Sequence, residues 1–209
     1  MPDARNTFEM LDCQWSQGCN MEALAELAAR RDARTQPEEF KDPITGLMPR
    51  VVMLEKGAGL MSAARAARAP LSAVIIDVDC LKAINERYSP EAGDTVLAHV
   101  AKLIRLNIQT ANDLAARNLG AEFVLLLPEA DASWASAFAE RLRGTLANRP
   151  VCHGTDMITI SASIGVAALV ADDEALDDLI ARARQAMRTA KLGGRNRTQV
   201  AGLRLVHAA

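Results

Sequence analysis

Two acidic residues, Asp77 and Asp79, stand at the end of the apolar run Leu71 to Val78. An amide follows at Asn85, another carboxylate at Asp94, and a basic cluster spans Lys191, Arg195 and Arg197. Carboxylate oxygens are hard ligands of the kind Mg²⁺ takes. Lysine and arginine are natural partners for phosphate oxygens. Taken singly, each residue also has a simpler role. Asp77 reads as a loop-facing carboxylate, Asp79 as the cap of the short segment Cys80 to Tyr88, and Asp94 as a first-turn helix carboxylate favoured by the macrodipole. Asn85 is then a polar residue in a short helix, and the basic cluster a solvated turn after a helix. The remaining reactive types say less. Cys13, Cys19, Cys80 and Cys152 are too scattered for a zinc site and too few for a disulfide scaffold, so reduced thiols are expected. His99, His153 and His207 show no metal-ligand or triad spacing.

The elements that must position these residues alternate between helical and strand periods from Asp42 onward. A helix is expected after Pro49, running through Leu54 and Leu60, then a strand over Leu71 to Val78. A longer helix covers Glu91 to Ile108, with Val96, Val100, Leu103 and Ile104 on one face. A hairpin follows, with arms Leu114 to Arg117 and Glu122 to Leu127 and Gly120 permitting the tight turn. Next come a helix from Ser133 to Leu146, a strand from Met157 to about Val170, a helix from Leu176 to Leu192, and a closing strand near Thr198 to Leu203. The order predicts an α+β domain with helices packed on a mainly antiparallel sheet. Ahead of it, residues 1–41 read as a short helical extension and linker. Phe8, Leu11 and Trp15, then Met21, Leu24 and Leu27, recur at helical spacing and offer a surface either for a partner chain, another protein or a second copy, or for docking on the domain that follows. Residues 42–203 make the domain and 204–209 a tail.

Composition narrows the function classes. The 209 residues carry a formal charge of −2, which gives no global argument for nucleic-acid binding. A bilayer span needs about 20 consecutive apolar residues, and the longest apolar runs fall far short. The first ten residues include Asp3, Arg5 and Glu9 and lack the apolar core of a secretory signal, so a cytoplasmic location is expected.

Read together, five stretches resemble the GGDEF family, whose members condense two GTP molecules into cyclic di-GMP. They are Asp42-Pro-Ile-Thr-Gly-Leu47, Asp77-Val-Asp-Cys-Leu-Lys-Ala-Ile-Asn85, Ala92-Gly-Asp94, Ser163-Ile-Gly-Val-Ala167 and Ala190-Lys-Leu-Gly-Gly-Arg-Asn-Arg197. The resemblance covers about Asp42 to Val200 and implies a palm-like nucleotidyl cyclase fold. In such folds, metal ions activate the attacking hydroxyl and neutralise charge on the leaving pyrophosphate. Carried over by match, Asp77 and the Val78 carbonyl correspond to metal ligands. Asn85 and Asp94 correspond to the guanine-reading pair, and Lys82, Lys191 and Arg195 to positions near the phosphates.

The pattern breaks at its signature. Where the family keeps Gly-Gly-Asp/Glu-Glu-Phe, this chain has Leu119-Gly-Ala-Glu-Phe123. Ala121 replaces the second metal-binding acid, and Leu119 replaces a glycine whose missing side chain lets the backbone approach the nucleotide, so the leucine is expected to occupy that space. Glu122 persists, yet adjacent strand residues face opposite ways. Loss of metal stabilisation of about 4 kcal/mol slows a reaction roughly a thousandfold. The family's inhibitory Arg-x-x-Asp reads Thr110-Ala-Asn-Asp113, so Asp113 and Arg141 are remnants of a site not expected to capture cyclic di-GMP. The expectation is a catalytically degenerate GGDEF protein of cyclic di-GMP signalling, a regulatory or protein-interaction module with GTP as candidate ligand. Mg²⁺ is expected only if GTP binds. Two alternatives stay open: a weakly active diguanylate cyclase in which Asp77 and Glu122 hold Mg²⁺, and a structural partner domain that binds no nucleotide.

Overall fold

The computed structural model describes residues 41–108 and 110–202. The expected N-terminal helices, Cys13, Cys19, His207, Leu203 and the tail lie outside the described residues. Within them the order is β1 (Met48–Pro49), α1 (Arg50–Ala67), β2 (Leu71–Val78), α2 (Leu81–Arg87), α3 (Pro90–Asn107), β3 (Leu114–Arg117) and β4 (Glu122–Pro128). Then follow α4 (Ala132–Ala147), β5 (Val151–His153), β6 (Asp156–Ile158), β7 (Ala162–Ala168), α5 (Leu176–Leu192) and β8 (Thr198–Val200). One sheet has the order β1-β3-β4-β2-β7-β8, and β5 with β6 forms a small hairpin apart from it. The pairs β3–β4, β4–β2 and β2–β7 are antiparallel, while β1–β3 and β7–β8 are parallel. The mainly antiparallel α+β architecture expected of a nucleotidyl cyclase palm is therefore present.

The central strand explains the layering. β2 is apolar on both faces because both are covered. Val74, Ile76 and Val78 pack with Val96, Val100 and Ile104 of α3 and with Phe138 and Leu142 of α4. Ala73 and Ile75 face the other way, against Met53 and Met61 of α1 and Leu179, Ala183 and Met187 of α5. Gly165 on β7, opposite Ile75, sets how closely α5 can approach. A β-carbon there would lie 2.1 Å from the Ala183 carbonyl oxygen and 2.2 Å from the Met187 nitrogen. The glycine of the Ser163-Ile-Gly-Val-Ala167 stretch is thus a packing requirement.

Two expectations need correction. The strand drawn from Met157 to Val170 is two strands, β6 and β7, because residues 159–161 leave the small hairpin before joining the main sheet. As expected, helix α1 follows Pro49: it begins at Arg50, with Pro49 extended at φ −72° and ψ 158° as its N-cap and paired in β1. Asp79 does not cap α2: Cys80 is the N-cap residue, at φ 55°, and no side chain caps that end. The Asp79 carboxylate is buried and points elsewhere, as described below.

Candidate functional site

Strand alternation carries Asp77 to the same face as Ala73 and Ile75, toward α5. There Lys191 Nζ lies 2.7 Å from Asp77 Oδ1, with the two side chains 34% and 16% exposed. Burial pushes the Asp77 carboxyl above its ordinary value. The Lys191 ammonium opposes that rise, and the nearby charges of Glu122 and Asp79 add to it.

Glu122 stands directly opposite Asp77 in the β2–β4 ladder. Both of its oxygens are taken by Arg184, with Nε at 3.2 and 3.1 Å and Nη2 at 2.8 Å. Asn118 Nδ2 donates to the same carboxylate at 2.6 Å. The hydrogen bonds it donates to Glu122 hold the Arg184 guanidinium above its usual pKa. Residues 184 and 191 are two turns apart on one face of α5. A single helix therefore sets two fixed cations against the two carboxylates at this end of the sheet.

That arrangement does not fit Mg²⁺, which demands near-octahedral oxygen donors. A divalent ion at Asp77 must displace Lys191, and the neighbouring carboxylate is already held by Arg184 and Asn118. Ala121 offers no side-chain oxygen. Its methyl packs on the opposite cluster, and its carbonyl accepts from the Val78 N–H at 3.2 Å. Among the described residues no group of three His, Cys, Asp or Glu side chains is placed to hold a metal.

The hairpin tip is tied down on its other side. Arg117 Nε and Nη2 donate to the Gly120 carbonyl at 3.2 and 3.0 Å, and its Nη1 reaches Asp42 Oδ1 at 3.2 Å. The turn at residues 42–47 is thereby linked to the altered signature loop. Burial tends to raise the Asp42 pKa, but hydrogen bonds from Thr45 and Arg117 outweigh it and leave the carboxyl below its ordinary value. Leu119 projects to solvent, 76% exposed.

The expected guanine pair keeps its framework. Asn85 on α2 packs on Gly93 in the first turn of α3, where a β-carbon would lie 1.8 Å from Asn85 Oδ1. That oxygen is buried and has no hydrogen-bond partner in the protein. Asp94, the next residue, is exposed. The structure thus brings Asn85 to the turn that bears Asp94, and an orphaned buried oxygen is a feature a ligand donor would satisfy.

The other expected residues separate. Lys82, with its side chain 91% exposed, pairs with Glu86 at 3.6 Å on its own helix. Arg195 lines a cavity of about 310 Å³ together with Asp79, Cys80, Arg87 and Ser161. In the inhibitory remnant, the Asp113 carboxylate accepts from the Thr110 N–H and hydroxyl at 3.0 and 2.9 Å, closing a local turn. Arg141 lies over the Phe138 ring at 5.6 Å. Sequence reasoning passed over Arg184, Asn118 and Arg117. The seven-residue spacing of Arg184 and Lys191 was the available signal, and the choice of carboxylate for each was not.

Comparison with known proteins agrees with this fold. The family model for "Diguanylate cyclase, GGDEF domain" matches residues 39–197. The response regulator PleD of Caulobacter vibrioides is 35% identical over 157 residues, 74% of this chain and 34% of PleD. The chain thus spans about a third of the length of that relative. Among solved structures, the active GGEEF domain of a diguanylate cyclase from Vibrio cholerae superposes with a TM-score of 0.71 at 30% identity, covering 75% of this chain and 99% of that one. The diguanylate cyclase SiaD of Pseudomonas aeruginosa, solved with its activator SiaC, gives a TM-score of 0.75 at 27% identity, covering 87% of this chain and 72% of SiaD.

Proposed function

The chain belongs to the GGDEF domain family, and on that premise we propose that it is a catalytically degenerate member, a regulatory or protein-interaction module of cyclic di-GMP signalling. The observation that carries the reading is the charge arrangement at the sheet end. Lys191 and Arg184 occupy the two carboxylates, and Ala121 stands where the resemblance places the second acid. Asp77 is held as an ion-pair partner, so a metal-dependent attack on an α-phosphate has no side-chain support here.

GTP is the proposed ligand, its base read by Asn85 and Asp94 and its phosphates met by Arg195. The orphaned Asn85 oxygen and the Gly93 cradle support this part. Lys191 contributes to phosphate binding only if it leaves Asp77, and Mg²⁺ arrives only on the triphosphate itself. The reading places the chain in the cytoplasm, where GTP is; no described helix is long and apolar enough to cross a membrane. Protein contact is the proposed output, with Leu119 exposed at the hairpin tip. A related diguanylate cyclase binds a protein activator, as SiaD does SiaC.

Purified protein incubated with GTP and Mg²⁺ should yield no cyclic di-GMP by mass spectrometry, while calorimetry detects GTP. Product formation abolished by Asp77→Ala defeats the degenerate reading. Absence of GTP binding in calorimetry and in an orthogonal assay defeats the nucleotide part and leaves the partner-domain alternative.

A further inference from the structure

The basic turn after α5 contains two consecutive left-handed residues that are not glycine, Arg195 at φ 64° and Asn196 at φ 43°. Asparagine tolerates this region, whereas arginine is strained there, so the surroundings must hold the turn. Arg143 Nη1 holds the Asn196 side chain by donating to its Oδ1 at 2.7 Å, and Asp79 holds the backbone of the turn. Its carboxylate is 5% exposed and accepts three hydrogen bonds. Ser163 Oγ donates to Oδ1 at 2.7 Å, Ser161 Oγ to Oδ2 at 2.7 Å, and the Asn196 backbone N–H to Oδ2 at 3.1 Å. The Asp79 N–H completes the junction by donating to the Ser161 carbonyl at 2.9 Å.

We propose that Asp79 is a positioning residue: it clamps the Arg195–Asn196 turn to the ends of β2 and β7 and so aims the Arg195 guanidinium along α2. The two serines fix the carboxylate, leaving Oδ2 directed at the turn. A buried carboxylate accepting three donors is a strong and geometrically narrow acceptor. Arg195 then lines the cavity that runs along the helix carrying Asn85, from Asp79 and Cys80 at one end to Arg87 at the other. The consequence for phosphate recognition rests on the GTP reading above, whereas the clamp itself does not.

Amide hydrogen exchange on the full chain separates the two. In the wild type the Asn196 amide, on an exposed turn residue, should be protected to the level of the Ile164 amide, which donates to the Arg197 carbonyl at 2.9 Å. Exchange of Asn196 at its intrinsic rate overturns the clamp without any variant. Asp79→Asn should speed Asn196 exchange about tenfold or more. Ser163→Ala, which removes a bond to Oδ1 only, should leave Asn196 protected. Unchanged Asn196 protection in Asp79→Asn overturns the proposal. In parallel, Asp79→Asn should weaken GTP about tenfold and leave guanosine unaffected. Equal losses for both ligands reject a role in aiming Arg195. If the wild type binds neither ligand, the GTP reading fails, and the exchange result alone decides the clamp.

Discussion

Replacing Lys191 by methionine keeps the aliphatic stem and removes the charge facing Asp77. Breaking a fully buried ion pair costs about 3–5 kcal/mol, whereas exposed pairs contribute about 0.2–1 kcal/mol. With Asp77 16% and Lys191 34% exposed, the pair lies between these limits, so a loss of about 2 kcal/mol is expected. For a chain of this size that lowers the melting temperature by about 6 °C. The pH dependence has a definite sign. Burial already raises Asp77, and without Lys191 the influences left are burial, Glu122 and Asp79, all of which push the same way. The folded state then holds the Asp77 proton more tightly than the unfolded chain does. Its stability contribution is present below the ordinary carboxylate value of 3.8 and disappears as pH rises through the folded pKa. The deficit of Lys191→Met should therefore be small near about pH 4 and full at about pH 7.5. Thermal and urea unfolding of the single variants, Asp77→Asn and the double variant, at both pH values, make the measurement. A coupling energy above about 1 kcal/mol at neutral pH is expected, and one below about 0.3 kcal/mol refutes the pairing.

Three further outcomes follow from the same structure. Gly165→Ala should destabilise the fold by more than about 3 kcal/mol or prevent folding, because its β-carbon meets α5 backbone, whereas Gly59→Ala in α1, with nothing within 4 Å, should stabilise by about 0.5–1 kcal/mol; urea unfolding compares them. Arg117→Met should lower stability by about 1–2 kcal/mol near neutrality. The Asp42 carboxyl is held below its ordinary value, so that contribution is present above the unfolded pKa and fades as pH falls through the folded one; matched acid titrations would show the gap closing. Magnesium should leave the wild-type melting temperature unchanged, and Ala121→Asp combined with Leu119→Gly should introduce a concentration-dependent rise. A magnesium-dependent rise in the wild type would contradict the account of Lys191 as the resident cation.

Much of the fold was legible because it is written in local periodicity. The hairpin around Gly120, the strand Leu71–Val78 and the amphipathic α5 need only alternation, turn chemistry and 3.6-residue spacing to be seen. The break between β6 and β7 was not, since the apolar residues on both sides of Thr159 continue one pattern while the backbone leaves one sheet for another. The altered signature was equally plain in the chain: a methyl group at Ala121 has no oxygen wherever it points.

Charge pairing belongs to a different level. Asp77 and Lys191 are 114 positions apart, and Glu122 and Arg184 are 62 apart. Composition supplies several cations for each acid, so only the packing of α5 on β7 and β2, permitted by Gly165, decides which meet. Asp79 shows the same limit. Its sequence neighbours suggest a helix cap, but a side chain's partner is set by the donors brought within about 3 Å of it. Those donors, Ser161, Ser163 and Asn196, arrive from β7 and from the far end of α5. The sequence therefore determined which functional groups are present and which are lost, while tertiary packing decided that Asp77 and Asp79 are spent on contacts within the protein.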